Sequence, residues 1–70
     1  MKIYGLFEYT YDWYEWEQLI IVSRSVEKLK KYYETYKGEY GKFVLVEESE
    51  HKDYAKDQHN HMIIREVQVV

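Results

Sequence analysis

The chain has 70 residues, a formal net charge of −3 at pH 7 and no cysteine. A domain of this size buries only about 60% of the surface that its unfolded chain exposes, and no disulfide can add to its stability. Aromatic residues, which supply large packing areas, make up 19% of the chain, and the hydrophobic fraction is 46%. We therefore expect one folded domain with an aromatic-rich core.

Charge and hydropathy also disfavour several classes of protein. The excess of acidic over basic residues argues against non-specific binding to nucleic acid phosphates. No apolar run approaches the roughly 18 residues of a membrane-spanning helix, and residues 1–8 are too polar for a secretory signal. The absence of cysteine is typical of a reducing compartment. We expect a cytoplasmic protein that does not enter the membrane.

Residues 2–23 predict a β-hairpin. Residues 2–9 are rich in β-branched and aromatic types, and residues 18–23 contain four consecutive aliphatic residues, both of which are typical of strands. The connection falls around residues 11–14, where Asp12 is the residue type best suited to a turn. Trp13 and Tyr14 are expected at or beside the tip.

Residues 25–37 predict an amphipathic helix. Ser25 is a suitable N-cap, and Glu27 follows in the first turn, where the helix dipole favours a carboxylate. Apolar side chains then recur at spacings of three and four residues, at Val26, Leu29, Tyr33 and Tyr36. This period describes one buried helix face.

Two further strands are predicted at residues 42–47 and 61–69. Residues 48–60 between them predict a polar loop, because only Tyr54 and Ala55 are not polar. The resulting ββαββ order is typical of a single two-layer α+β domain with a mostly antiparallel four-stranded sheet and one helix packed on one face. One helix leaves the other sheet face uncovered, so we expect a homodimer or a bound partner to cover it.

Residues 9–17 carry the strongest indication of function. They contain three tyrosines, two tryptophans and three acids. Cross-strand pairing can account for about half of the rings, but aromatic side chains near a turn are hard to bury. Exposed tryptophan and tyrosine dominate binding hot spots, and flanking acids steer a surface towards a basic partner. The predicted protein-binding residues are Tyr11, Asp12, Trp13, Tyr14, Glu15, Trp16 and Glu17.

Other interpretations stay open. A nucleic-acid-binding face is the runner-up, formed by Arg24, Lys28, Lys31 and Lys37 on the predicted helix. A module whose aromatic rings bind a small ligand or a nucleotide base is a third. His59 and His61 would project from one side of an extended strand, but their spacing matches no zinc signature, so no metal is expected. Without a glycine-rich phosphate loop or carboxylates across a pocket, neither enzymatic activity nor a cofactor is expected.

Two short segments carry a resemblance to a group of known proteins. Residues 2–4 (Lys-Ile-Tyr) and 25–28 (Ser-Val-Glu-Lys), with a last strand at residues 65–70, resemble short uncharacterised proteins common in phages and bacterial mobile elements. The resemblance extends over nearly the full length and assigns no catalytic residue. It implies a small accessory protein, and some proteins of this kind bind and block host enzymes or defence systems. The crowded aromatic hairpin and the polar segment at 48–60 depart from that pattern.

Overall fold

The domain is built on a four-stranded sheet, in which two long strands and a third strand lie side by side and a short strand forms one edge. The structure, a computed structural model, describes residues 2–36, 41 and 43–68. The strand order is β2-β1-β4-β3, in which β1 pairs antiparallel with both neighbours and β3 pairs parallel with β4. In chain order the elements are β1 (Ile3–Asp12), β2 (Tyr14–Ser23), α1 (Val26–Thr35), β3 (Leu45–Val46), α2 (Glu48–Lys56) and β4 (His61–Val67).

The β1–β2 hairpin turns at a single residue. Asp12 pairs with Tyr14, so Trp13 alone makes the turn, with a φ of 70°. The register shifts between Leu6 and Phe7, which leaves one extra residue in β2 and produces a β-bulge. The hairpin predicted for residues 2–23 is present, and its tip lies one residue beyond Asp12.

Helix α1 packs on one face of the sheet and closes the main core. Its N-cap is Ser25, whose hydroxyl accepts a hydrogen bond from the backbone N–H of Lys28 at 3.4 Å. Leu29 is buried against Leu6 of β1 and Met62 of β4. The helix predicted at residues 25–37 therefore forms on the predicted face; residue 37 lies outside the described part of the chain.

One buried carboxylate lies on the same face as α1. Glu8 is almost fully buried, and its Oε2 accepts a hydrogen bond of 3.1 Å from the Tyr36 hydroxyl. Burial, and then the neighbouring Glu8 carboxylate, raise the pKa of Tyr36. The hydroxyl therefore stays a hydrogen-bond donor, which compensates for removing the carboxylate from water.

The prediction of a polar loop at residues 48–60 is wrong, because helix α2 forms there. Glu48 and Glu50 lie in its first turn and Lys56 in its last. These charges stabilise the helix, because acids near its start and bases near its end interact favourably with the helix dipole. Its inner face is formed by His51, Tyr54 and Ala55, the partly buried residues of this helix. These residues have helical spacing, but a histidine and an alanine give a weak apolar signal.

The prediction of one helix and two layers is wrong for the same reason. Leu6 packs beneath α1, whereas the ring of Tyr9 contacts His51 of α2. Residues an odd number of positions apart on a strand project from opposite faces. The register shift occurs on β2, so this alternation holds along β1. The two helices therefore lie on opposite faces of the sheet.

Strand β3 is shorter than the predicted strand at 42–47, and it is parallel to its neighbour. Leu45 pairs with Met62 and Val46 with Ile63; residue 42 is not among the described residues. Helix α2 connects the end of β3 to the start of β4, and so carries the chain back along the sheet. A helical crossover of this kind joins parallel strands. The sheet is therefore mixed. Strand β4 forms within the predicted range 61–69, whose last residue is not described.

Helix α2 covers only part of its sheet face. On the uncovered part, a Cβ atom placed on Gly5 would lie 2.9 Å from side-chain atoms of Leu19 and Val67 and 3.0 Å from the ring of Phe7. These side chains therefore close over the bare backbone of the glycine. Leu19 and Val22 are each 47% exposed. An apolar patch remains open on this face.

A glycine scan at an exposed position tests whether residues 48–56 are helical. Lys52 is exposed in the middle of α2. Lys52→Gly should lower the free energy of unfolding by about 1 kcal/mol relative to Lys52→Ala, because glycine is that much less favourable inside a helix. Urea unfolding of both variants measures the difference. Equal stabilities would mean that the segment is a loop.

Candidate functional site

The tip of the hairpin extends beyond the rest of the sheet. β4 pairs with β1 only from Ile3 to Tyr9, so residues 10–12 of β1 have β2 as their strand neighbour. At the end of this arm the side chain of Trp13 is 91% exposed and that of Tyr14 is 68% exposed. The two residues expected at the tip therefore project into solvent.

The two faces of the arm carry different side chains. Asp12 pairs with Tyr14 and Thr10 with Trp16, which places these residues on the α1 side of the sheet. Trp16 is 38% exposed. Tyr11 pairs with Glu15 between these two pairs, so both side chains lie on the α2 side of the sheet. The aromatic surface of the tip therefore consists of Trp13 with Tyr14 and Trp16.

The base of the arm is fixed by an asparagine side chain. The Oδ1 atom of Asn60 accepts a hydrogen bond of 2.8 Å from the backbone N–H of Tyr11. Asn60 directly precedes β4, so its side chain replaces the next backbone partner that this strand would have supplied. This contact orients the arm relative to the sheet.

Glu17 is separated from the other two acids of the predicted surface. Its carboxylate accepts two hydrogen bonds of 3.2 Å from the guanidinium of Arg65, and Oε1 lies 3.0 Å from Nε2 of His51. Arg65 also lies over the ring of Phe7, 5.0 Å from its centroid. Glu17 therefore belongs to the contact between the sheet and α2, while Asp12 and Glu15 stay exposed beside the tip.

A buried pair of histidines continues this contact into the core. His61 is completely buried, and its Nδ1 lies 2.9 Å from the backbone carbonyl of His59. Its Nε2 lies 2.8 Å from Nδ1 of His51. The ring of Tyr9 stacks on His61 with 4.8 Å between centroids. Burial, and then the negative charge of Glu15, raise the pKa of the Tyr9 hydroxyl.

The partners of the two imidazoles determine how many protons the pair holds. A carbonyl and a carboxylate only accept, so His61 Nδ1 and His51 Nε2 both carry hydrogens. One more hydrogen is needed between the facing nitrogens. Which ring donates at that contact depends on the tautomers of the two imidazoles. Desolvation lowers the pKa of His61, which favours its neutral form.

The two histidines that the sequence suggested as weak metal ligands point in different directions. The ring of His59 lies against Tyr54, with 5.8 Å between centroids, whereas His61 turns into the core. Within the described ranges, the structure holds no group of three or more histidine, cysteine or carboxylate side chains that could bind a metal. The contact of 2.8 Å between His51 of α2 and His61 of β4 joins the helix to the sheet.

The basic residues of the runner-up hypothesis lie in α1 or directly before it. Arg24, Lys28 and Lys31 are all exposed. Arg24 precedes the N-cap Ser25, so only Lys28 and Lys31 are placed on one side of the helix by their spacing of three residues. Lys37 lies outside the described residues. Two cations therefore share one side of α1, and Arg24 lies just before the helix begins.

No protein family model, curated protein or solved structure matches this chain. Neither helix in the part of the chain that the structure describes is long and apolar enough to cross a membrane.

The lowered pKa of His61 predicts a loss of stability in acid. The unfolded chain binds a proton at this residue near pH 6.5, whereas the folded chain binds it only at lower pH. The unfolded state therefore holds more protons as the pH falls below about 6.5, and the free energy of unfolding decreases. Chemical unfolding of the wild type between pH 6.5 and 5.0 should show this decrease.

The matched control for this prediction is His61→Asn, which keeps a donor and an acceptor but does not titrate. The variant should be less stable at pH 6.5, and its stability should fall less steeply between pH 6.5 and 5.0. Equal pH slopes for the two chains would contradict the assignment of His61 as a neutral, buried group.

Proposed function

We propose that this chain is a small, non-enzymatic protein-binding module that acts in the cytoplasm as an inhibitor or adaptor and contacts its partner through the tip of the β1–β2 hairpin. The observation that supports this most strongly is the indole of Trp13, which is 91% exposed at the end of a projecting arm. Tyrosine and tryptophan in such positions are the usual anchors of binding hot spots.

Folding alone gives no reason for a tryptophan at this turn. Trp13 has a φ of 70°, a left-handed conformation that costs a bulky residue on the order of 1–2 kcal/mol. Glycine or asparagine would make the same turn at lower cost. The exposed ring gains no burial energy in the free chain. Burial in a partner would supply the compensation that the fold does not.

The charges beside the tip indicate what kind of surface it binds. Asp12 and Glu15 are exposed, whereas Glu17 is held by Arg65 and His51. The proposed partner surface has an apolar pocket for the Trp13 ring and basic residues around that pocket. Opposite charges would speed the encounter and restrict its orientation.

The resemblance of residues 2–4 and 25–28 to phage and mobile-element proteins supports a narrower version of the proposal. In that version the partner is a host enzyme or a defence protein, and binding blocks its activity. The runner-up is nucleic acid held by Arg24, Lys28 and Lys31. It is supported by the exposure of all three residues and by the position of Lys28 and Lys31 on one side of α1.

The first consequence of the proposal concerns stability. Trp13→Gly should leave the free energy of unfolding unchanged or raise it by up to about 1 kcal/mol, because glycine adopts the positive φ without strain. Thermal or urea unfolding measures this. A loss of more than about 2 kcal/mol would identify Trp13 as a core residue and remove the basis of the proposal.

The second consequence concerns binding. Tagged wild-type chain should capture a specific protein from a lysate of its host cells, and the double variant Trp13→Ala/Tyr14→Ala should lose it. Tyr32→Ala is the matched control, because Tyr32 is an exposed aromatic residue on α1, 38% accessible. This control should retain the captured protein.

Two results would contradict the proposal. The first is equal capture by the wild type and the double variant. The second is capture of nucleic acid alone, with a strong salt dependence that is lost in Arg24→Glu/Lys28→Glu/Lys31→Glu; this result would favour the runner-up.

A further inference from the structure

Strand β4 has an open edge on the side of β3. The backbone N–H of Met62 donates to the carbonyl of Val44 at 2.8 Å, so the even-numbered residues of β4 direct their backbone groups towards that side. β3 ends at Val46, opposite Ile63. Along the described residues no strand continues beside β4 beyond this point. The outward backbone N–H and C=O of Glu66 therefore have no strand neighbour among residues 2–36, 41 and 43–68.

A cavity of about 560 Å³ lies along this open edge. Its apolar lining comes from Tyr4, Val26, Leu45 and Ile64, which belong to β1, α1, β3 and β4. The volume falls in the range of roughly 300–1,000 Å³ that ligand pockets occupy. An unpaired strand edge and an apolar groove beside it are the two features that strand-addition sites combine.

The charges around the groove are unbalanced. Three exposed acids line it, Glu47, Glu48 and Glu66, and none of them forms an ion pair with another described residue. The two cations of the lining are already paired, since Lys30 lies 4.0 Å from Glu27 and Arg65 binds Glu17. The uncompensated charge at the groove is negative.

We propose that this groove binds an extended peptide segment with alternating basic and apolar residues, which adds to the sheet as a fifth strand beside β4. The peptide backbone would pair with the free N–H and C=O of Glu66. Its apolar side chains would lie against Tyr4 and Ile64, and its basic side chains would face Glu47 and Glu48. This site is separate from the hairpin tip and does not depend on the function proposed for it.

The test uses the full chain and a defined probe, a fluorescein-labelled hexapeptide of alternating lysine and valine with blocked ends. Fluorescence anisotropy should show that it binds, and that the corresponding glutamate–valine peptide binds at least tenfold more weakly, because like charges oppose it. No binding of the lysine–valine peptide, or equal binding of the two peptides, would overturn the proposal.

Two substitutions at one residue separate strand addition from simple charge attraction. Glu66→Gln removes the charge and keeps the backbone N–H. Glu66→Pro removes the charge and also the N–H, and proline is tolerated where that group faces away from the sheet. Glu66→Pro should bind the lysine–valine peptide about three- to tenfold more weakly than Glu66→Gln, the effect of one lost hydrogen bond. Equal affinities would overturn the proposal.

A measurement on the wild type keeps the test valid if the proline variant fails to fold. Addition of the lysine–valine peptide should slow hydrogen exchange at the Glu66 amide, and the affinity should be unchanged in Trp13→Ala. Binding without protection of this amide, or loss of binding in Trp13→Ala, would place the peptide elsewhere and overturn the proposal.

A dimer that Glu66→Gln retains and Glu66→Pro abolishes would identify a second copy of the chain as the occupant of the groove and overturn the proposal.

Discussion

The contact between α2 and the sheet is the interaction on which the rest of the structure depends. It is largely polar: Arg65 binds Glu17, Glu17 binds His51, and His51 faces the buried His61. Removing such groups from water is unfavourable unless each finds a partner. Here the contacts run without a break from the guanidinium to the His59 carbonyl, and the exception is Nε of Arg65, which is buried without a hydrogen-bond partner among the described residues. A continuous network of this kind fixes one position of the helix.

The position of α2 determines the two surfaces that we propose as binding sites. Since α2 returns the chain for β4 to begin at His61, β1 runs past β4 by three residues and the aromatic tip projects. Since β3 must end where α2 begins, it covers only the first part of the β4 edge. The arm and the open edge are therefore consequences of the same crossover.

The hairpin and α1 could be predicted because their signals are local. Alternating β-formers mark the two strands, and Ser25 with the spacing of Val26 and Leu29 marks the helix. Helix α2 could not be predicted as easily, because its inner face is built from His51, Tyr54 and Ala55 rather than aliphatic residues. Tyr54 and Ala55 follow His51 by three and four residues, and this spacing is the helical signal that the segment carries.

The histidine pair could not be predicted, because it forms only once α2 lies on the sheet. The aromatic tip was predicted correctly in its position, since an aromatic turn has no core to enter. Glu17 lies on the face that α2 covers, opposite Trp16. Glu15 lies on the same face but stays exposed, because it belongs to the part of the arm that extends beyond β4. This step needed the position of α2, which the sequence had not supplied.

The central claim is that the indole of Trp13 is exposed in the isolated chain, and tryptophan fluorescence tests it most directly. In the variant Trp16→Phe, Trp13 is the single tryptophan of the chain. Its emission should be that of an indole in water, and acrylamide should quench it freely in the isolated chain. Adding the captured partner should shift the emission to shorter wavelength and protect the ring. A ring already protected in the isolated chain would contradict the account.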